Sequence, residues 1–296
     1  VTSSDEEKAS RQVGTALENL LQLLDLEPIE VNVFRGQSPS DERQRVFGGQ
    51  VAGQALVAAG RTVPEERLVH SLHAYFIRPG DPAVPILYEV ERIRDGRSFS
   101  TRRVLAIQHG RPIFNLSASF QVLEDGLDHQ VRAPSAPPPE TLPGFEEAMA
   151  PWSEQLGAFL ERERPFDLRY VLPPTIAREG SAEEPRQRIW LRADGHLPDS
   201  PLLHACVFAY ASDMTLLDST LIPHRLTWSD PGLKAASLDH AMWFHRQGRA
   251  DEWFLYDMTS PTTQHGRGLA LGAMYDASGR LLVSVAQEGL IRLVAR

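Results

Sequence analysis

Apolar residues recur at every second position in several stretches of this chain, the spacing of strands with one buried face, and at helical density in two others. In the first half, residues 29–34 read as a strand and residues 47–63, rich in Val, Ala and Leu, as a buried helix. Four strands follow at 70–77, 86–92, 99–109 and 112–122, bounded by the turn formers Pro79-Gly80-Asp81, Asp95-Gly96 and Gly110. Pro134, Pro137, Pro138, Pro139, Pro143 and Pro151 then forbid a helix interior or a central strand, so residues 132–151 read as a linker. After it the order recurs: a strand at 187–192, an apolar helix at 202–217, and strands at 235–244, 253–259, 268–276 and 281–292.

Both halves share the order β-α-β-β-β-β. Two echoes support a duplication: His73-Ala74-Tyr75-Phe76 matches His240-Ala241-Met242-Trp243, and Gln121 matches Gln287 near a strand end. One helix among many strands, without βαβ alternation, argues for antiparallel sheets, each curled round a helix apolar on nearly all sides. Val51, Ala52, Ala55, Leu56, Val57, Ala58 and Ala59 meet that demand. The expected class is α+β, a double hotdog, with domains at 12–131 and 166–296, a linker at 132–165, and the chemistry in the second domain.

Composition narrows the function. A chain of 296 residues, 42% hydrophobic, is long enough for two modest cores. A net charge of −9 argues against a nucleic-acid partner, whose phosphates require a basic face. Arg92, Arg94, Arg97, Arg102, Arg103 and Arg111 group on strand and turn positions, as a solvated sheet face or a weak phosphate site. The lone Cys206 excludes an internal disulfide and a sulfur-based zinc site, and fits a reducing compartment. Residues 1–11 lack the pattern of a secretory signal, and the longest apolar run, 202–217, falls short of the ~20 residues that span a bilayer. A soluble, cytoplasmic protein is expected.

Three segments carry candidate chemistry. Phe47-Gly48-Gly49-Gln50-Val51-Ala52-Gly53 places three glycines at a helix start, where each costs ~1 kcal/mol relative to alanine. They serve either close packing or the approach of a carbonyl to unpaired N–H groups at the positive helix end. Asp213 stands near the C-terminal end of an apolar helix, where the dipole opposes negative charge; it either caps the next turn or needs polar partners. Ser237 and Gln287 are available as such partners on alternating segments, Gln287 on the same face as Val283 and Val285. Ser237 and Asp239 share one face and Leu238 and His240 the other, and spacing leaves open which is inward. A covalent nucleophile is disfavoured, because G-x-S-x-G is absent and Cys206 lies mid-helix among apolar neighbours. No H-E-x-x-H occurs, and no metal is expected.

Through these segments the chain resembles the acyl-CoA thioesterase II family of bacteria and peroxisomes. The resemblance runs through Phe47-Gly48-Gly49-Gln50, His70-Ser71-Leu72-His73, Phe76-Ile77-Arg78-Pro79-Gly80, Tyr210-Ala211-Ser212-Asp213, Asp239-His240-Ala241-Met242-Trp243-Phe244-His245-Arg246 and Gln287-Glu288-Gly289. It covers residues 46–121 and 203–292. It implies a double hotdog that hydrolyses fatty acyl-CoA to free fatty acid and CoA, and a trio of Asp213, Ser237 and Gln287, with Ser237 where some members carry threonine. It further implies a backbone donor at Gly48 and Gly49, no cofactor beyond the coenzyme A of the substrate, and a homo-oligomer. Residues 293–296 are not a Ser-Lys-Leu peroxisomal address. Two rivals remain: a hotdog dehydratase or hydratase, which needs a histidine at the helix entry where residues 43–50 have none, and a non-catalytic acyl-CoA-binding protein.

Overall fold

The computed structural model describes residues 15–39, 45–157, 160, 162, 164–178 and 184–294. Residues 1–11, read above for a signal, lie outside them, as do Ala295 and Arg296. Period-two alternation becomes one antiparallel sheet of thirteen strands among the described residues. The first half supplies β1 (Glu27–Glu30), β2 (Val33–Gly36), β3 (Arg67–Phe76), β4 (Ile86–Asp95), β5 (Phe99–Gln108) and β6 (Arg111–Val122). The second supplies β7 (Phe166–Tyr170), β8 (Arg186–Ala193), β9 (Leu233–Ser237), β10 (Asp239–Phe244), β11 (Phe254–Gln264), β12 (Arg267–Asp276) and β13 (Leu281–Leu293). The helices are α1 (Ala16–Leu24), α2 (Gly48–Gly60), α3 (Phe145–Met149), α4 (Ser153–Leu156), α5 (Pro201–Ser212) and α6 (Asp218–Leu221).

Strand order is β1-β2-β4-β5-β6-β3-β10-β13-β12-β11-β8-β7, with β9 paired to β13 off this path. Outward from the β3–β10 pair, both directions meet corresponding strands, so the halves are related by a pseudo-twofold axis. Register locates that axis: His73 pairs with Ala241 and Ala74 with His240, so the two His-Ala echoes face each other across the join. The Gln121 echo does not survive. Ala74 pairs with Leu116 and its equivalent Ala241 with Ala286, which makes Ser117 the counterpart of Gln287.

Helix α2 is buried at every residue from Gly49 to Ala59, since the sheet closes one side and α1 and α5 the others. Helix α1 is an addition to the expected elements. Leu17, Leu20 and Leu24 share its buried face, and Thr15 caps it reciprocally with Glu18, at 3.2 Å and 2.7 Å. The proline-rich linker is pinned across β8, β11 and β12. Its Ala133, Ala136 and Leu142 pack on Trp190, Leu255 and Tyr275, and the Trp190 indole donates to Pro137 O at 2.9 Å.

The arginine group divides. Arg102 is buried, donating to Thr62 Oγ1 at 2.8 Å and to Asp95 Oδ1 at 2.7 Å, while its neighbour Arg103 points the other way to Glu91. Arg111 instead lines a surface cavity of about 340 Å³ with Arg78 and His109. No single phosphate patch results, because adjacent strand residues face opposite sides of the sheet.

Candidate active site

Helix α5 begins at the Ser200 cap, whose hydroxyl accepts from the Leu203 N–H at 3.3 Å, with Pro201 at its first position. It ends at Ser212, not at residue 217 as the apolar run suggests, and a side chain from another strand takes its last carbonyl. The Tyr256 hydroxyl donates to Ser212 O at 3.0 Å, and the Ser212 hydroxyl lies 2.9 Å from Ala209 O. Asp213 is the next residue.

A carboxylate here is opposed by the α5 dipole, and the fold offsets this with a second helix. Helices α2 and α5 pack antiparallel: Gly49 abuts Tyr210, Gly53 abuts Cys206 and Gly60 abuts Leu202. The positive start of α2 therefore meets the negative end of α5, and the Gly49 N–H donates to the Asp213 carboxylate. The same contact accounts for two glycines. A Cβ on Gly48 would stand 2.6 Å from Asp213 Oδ2, and one on Gly49 would stand 2.4 Å from the Tyr210 carbonyl oxygen. Gly48 makes room for the carboxylate and Gly49 for the neighbouring backbone.

The structure brings Ser237 and Gln287 to this carboxylate. Gln287 Nε2 donates to Asp213 Oδ1 at 2.6 Å and to Ser237 Oγ at 2.8 Å, and the Ser237 hydroxyl donates to Asp213 Oδ1 at 3.2 Å. Gln287 is fully buried on β13, facing inward with Val283 and Val285 as alternation predicts. On the other segment alternation breaks. β9 pairs Ser237 with Gly289, whereas β10 pairs Ala241 with Ala286, a slip of one residue that breaks the strand at Leu238. Ser237 and His240 both reach the interior for that reason, while Asp239 accepts from the Glu288 N–H at 2.7 Å. An Asp239–His240 dyad is not formed.

Burial raises the Asp213 carboxyl to about 6, against the lowering effect of its bonds from Gln287, Ser237 and the Gly49 N–H. The residue keeps some accessible surface although its carboxylate is enclosed. Burial pushes the His240 imidazole down to about 4, so it is neutral at physiological pH. Chemically, this is a weak base of adjustable charge, placed beside a hydroxyl, an amide and a helix N-terminus.

Sequence reasoning missed the Gly49 N–H as a carboxylate donor and the inward turn of His240. The first would follow from pairing a helix start with an acidic helix end; the second depends on a bulge with no local signature. Cys206 is fully buried in α5, where burial pushes its thiol up and out of nucleophilic use. Among the described residues, no three His, Cys, Asp or Glu side chains group as metal ligands, and no helix is long and apolar enough to cross a membrane.

Family models place this chain among known proteins. Residues 162–290 match the model described as acyl-CoA thioesterase, and residues 37–121 match the acyl-CoA thioesterase N-terminal domain. The chain is 44% identical to acyl-coenzyme A thioesterase 8 of Mus musculus, over 92% of this chain and 88% of that one. It is 40% identical to acyl-CoA thioesterase 2 of Haemophilus influenzae, over 93% and 98% respectively. The acyl-CoA thioesterase II TesB2 of Mycobacterium marinum superposes with a TM-score of 0.78 at 45% identity, covering 93% of this chain and 99% of that one. A hot dog fold protein from Alicyclobacillus acidocaldarius, at 19% identity and a TM-score of 0.76, shares the fold.

Proposed function

Because the chain belongs to the acyl-CoA thioesterase family, we propose that it hydrolyses fatty acyl-CoA to free fatty acid and CoA by water that Asp213, Ser237 and Gln287 direct at the thioester carbonyl. The observation that carries this reading is the Asp213 carboxylate at the seam of the two halves, 2.6 Å from Gln287 Nε2 and 3.2 Å from Ser237 Oγ. Asp213 takes the proton of the attacking water, and Ser237 and Gln287 fix the line of attack. The start of α2, at Gly48 and Gly49, offers its positive end to the developing oxyanion, the Gly49 N–H being shared with Asp213.

No covalent intermediate is needed, since a thiolate of pKa roughly 8.5 departs readily. The proton of the water passes to Asp213 and is returned to the departing thiolate or to solvent. The chain thus divides at 12–131, 132–165 and 166–296, with the trio in the last segment and the glycines in the first. The protein works in the cytoplasm as a homo-oligomer, without metal or cofactor.

The test is thiol release from a ladder of acyl-CoAs, short to long, by the protein and by Asp213→Ala, with folding of both checked by circular dichroism. We expect a loss of at least about 10²-fold in kcat for the variant. Equal hydrolysis by both would remove Asp213 from the chemistry; none by either would favour an acyl-CoA-binding role.

A further inference from the structure

One inward side chain beside the trio is not used by that chemistry. His240 is 1% exposed, and its Nε2 lies 2.8 Å from the Ser212 hydroxyl. Its Nδ1 is buried without a hydrogen-bond partner, and so is Oε1 of Gln287. The β10–β13 register that pairs Ala241 with Ala286 sets His240 across from Gln287, one position further along. One of these two atoms is able to carry a proton and the other only to accept one. Buried polar atoms left unpaired are rare, so adjacent complementary ones identify each other as partners.

The pairing matters because a glutamine amide has nearly the same shape with its oxygen and nitrogen exchanged. As placed, both amide hydrogens are donated, to Asp213 at 2.6 Å and to Ser237 at 2.8 Å. Turned over, the amide would set its carbonyl oxygen against the Asp213 carboxylate, acceptor against acceptor. The group on the far side of the amide decides between the two.

We propose that His240 is a positioning residue: neutral and protonated on Nδ1, it donates to Gln287 Oε1 and so keeps both Gln287 N–H groups on Asp213 and Ser237. The Ser212 hydroxyl donates to the bare Nε2 and selects this tautomer, turning from Ala209 O, which lies 2.9 Å away. Burial keeps the ring neutral, because an imidazolium there has no anionic partner. The order Ser212, His240, Gln287, Asp213 is a relay of orientation, with no proton transferred along it. The inference rests on the reading of Asp213, Ser237 and Gln287 as the water-directing set.

Two experiments test it. In wild-type protein labelled with ¹⁵N,¹³C-histidine, NMR reads the ring tautomer of His240, whose signals are assigned by their disappearance in His240→Asn. An Nδ1–H, bare-Nε2 ring is expected; the opposite tautomer overturns the proposal, whatever the variants do. The second experiment compares His240→Asn, which keeps an N–H where Nδ1–H stood, with His240→Gln, whose amide reaches instead to the Nε2 position. His240→Asn should hold kcat within about threefold, and His240→Gln should lower it roughly ten- to hundred-fold at little changed KM. Equal losses in both folded variants, or a change in KM alone, would mean a packing role and overturn it. If Asp213→Ala retained full hydrolysis, the reading of the trio would fail on its own; an inactive Asp213→Ala with an unaffected His240→Gln would sink only the role of His240.

Discussion

Asp213 and Asp218 are two buried carboxyls close in sequence, and they differ in what surrounds them. Burial raises both, Asp213 to about 6 and Asp218 to about 7, yet Asp218 accepts a bond from the Trp228 indole at 2.6 Å and feels the Arg178 charge. A raised carboxyl by itself does not mark a site; what distinguishes Asp213 is its hydroxyl, amide and helix-start neighbours. Since the base acts ionised, kcat/KM should rise with pH through a midpoint near 6, falling about tenfold per unit below it. A rate that stays level across about pH 5 to 8 would count against Asp213 as the base. Stability should run the other way. The folded carboxyl binds its proton more tightly than the unfolded one, so ionisation opposes folding from about pH 4 upward, with its full effect above about pH 6. Urea titrations at neutral pH should therefore find Asp213→Asn more stable than wild type by on the order of 1–3 kcal/mol, while its hydrolysis is lost.

Among the elements, the start of α2 does two jobs that adjacent glycines separate. Gly49→Ala drives a Cβ into the Tyr210 backbone, which has no rotamer to change, so it should lower stability by about 1–3 kcal/mol in denaturant titrations. Gly48→Ala meets the movable Asp213 side chain and an edge of Phe76, so it should cost less stability and more kcat. The opposite ranking in both readouts would mean that the site tolerates a displaced carboxylate. Of these elements, α1 was absent from the expected set although its Leu17, Leu20 and Leu24 spacing and its Thr15–Glu18 cap were readable. The end of α5 was not: residues 213–217 are as helix-compatible as those before them, and where the helix stops Tyr256, distant in sequence, takes the Ser212 carbonyl. The slip at Leu238 is equally silent locally, since it is set by the different partners of β9 and β10.

Across the molecule, the site belongs to neither half. The second half holds Asp213, Ser237 and Gln287, but the helix start that faces the carboxylate comes from the first, and β10 is paired on one side by β3. Residues 158–296 produced alone should release no thiol from acyl-CoA, and production together with residues 1–157 should restore release; activity of the isolated second half would show that α2 is dispensable. The linker has a separate role. Trp190→Phe removes its bond to Pro137 O and should lower stability by about 1 kcal/mol with kcat unchanged, since the linker packs on the sheet away from the trio.

Most strand positions, the two core helices, the duplicated order and the inward face of Gln287 were legible along the chain because each follows from local periodicity, which burial on one face imposes directly; the strand expected at 29–34 is instead divided between β1 and β2 by a turn at residues 31–32. The candidate residues Asp213, Ser237 and Gln287 were legible through family motifs, and a costly position drew attention to Asp213. Their mutual distances were not, nor was the answer to that cost, the start of α2, which lies more than 150 residues earlier. The inward turn of both Ser237 and His240 was hidden for a related reason. Alternation fixes faces only while one register holds, and register is a property of paired strands that no single segment encodes.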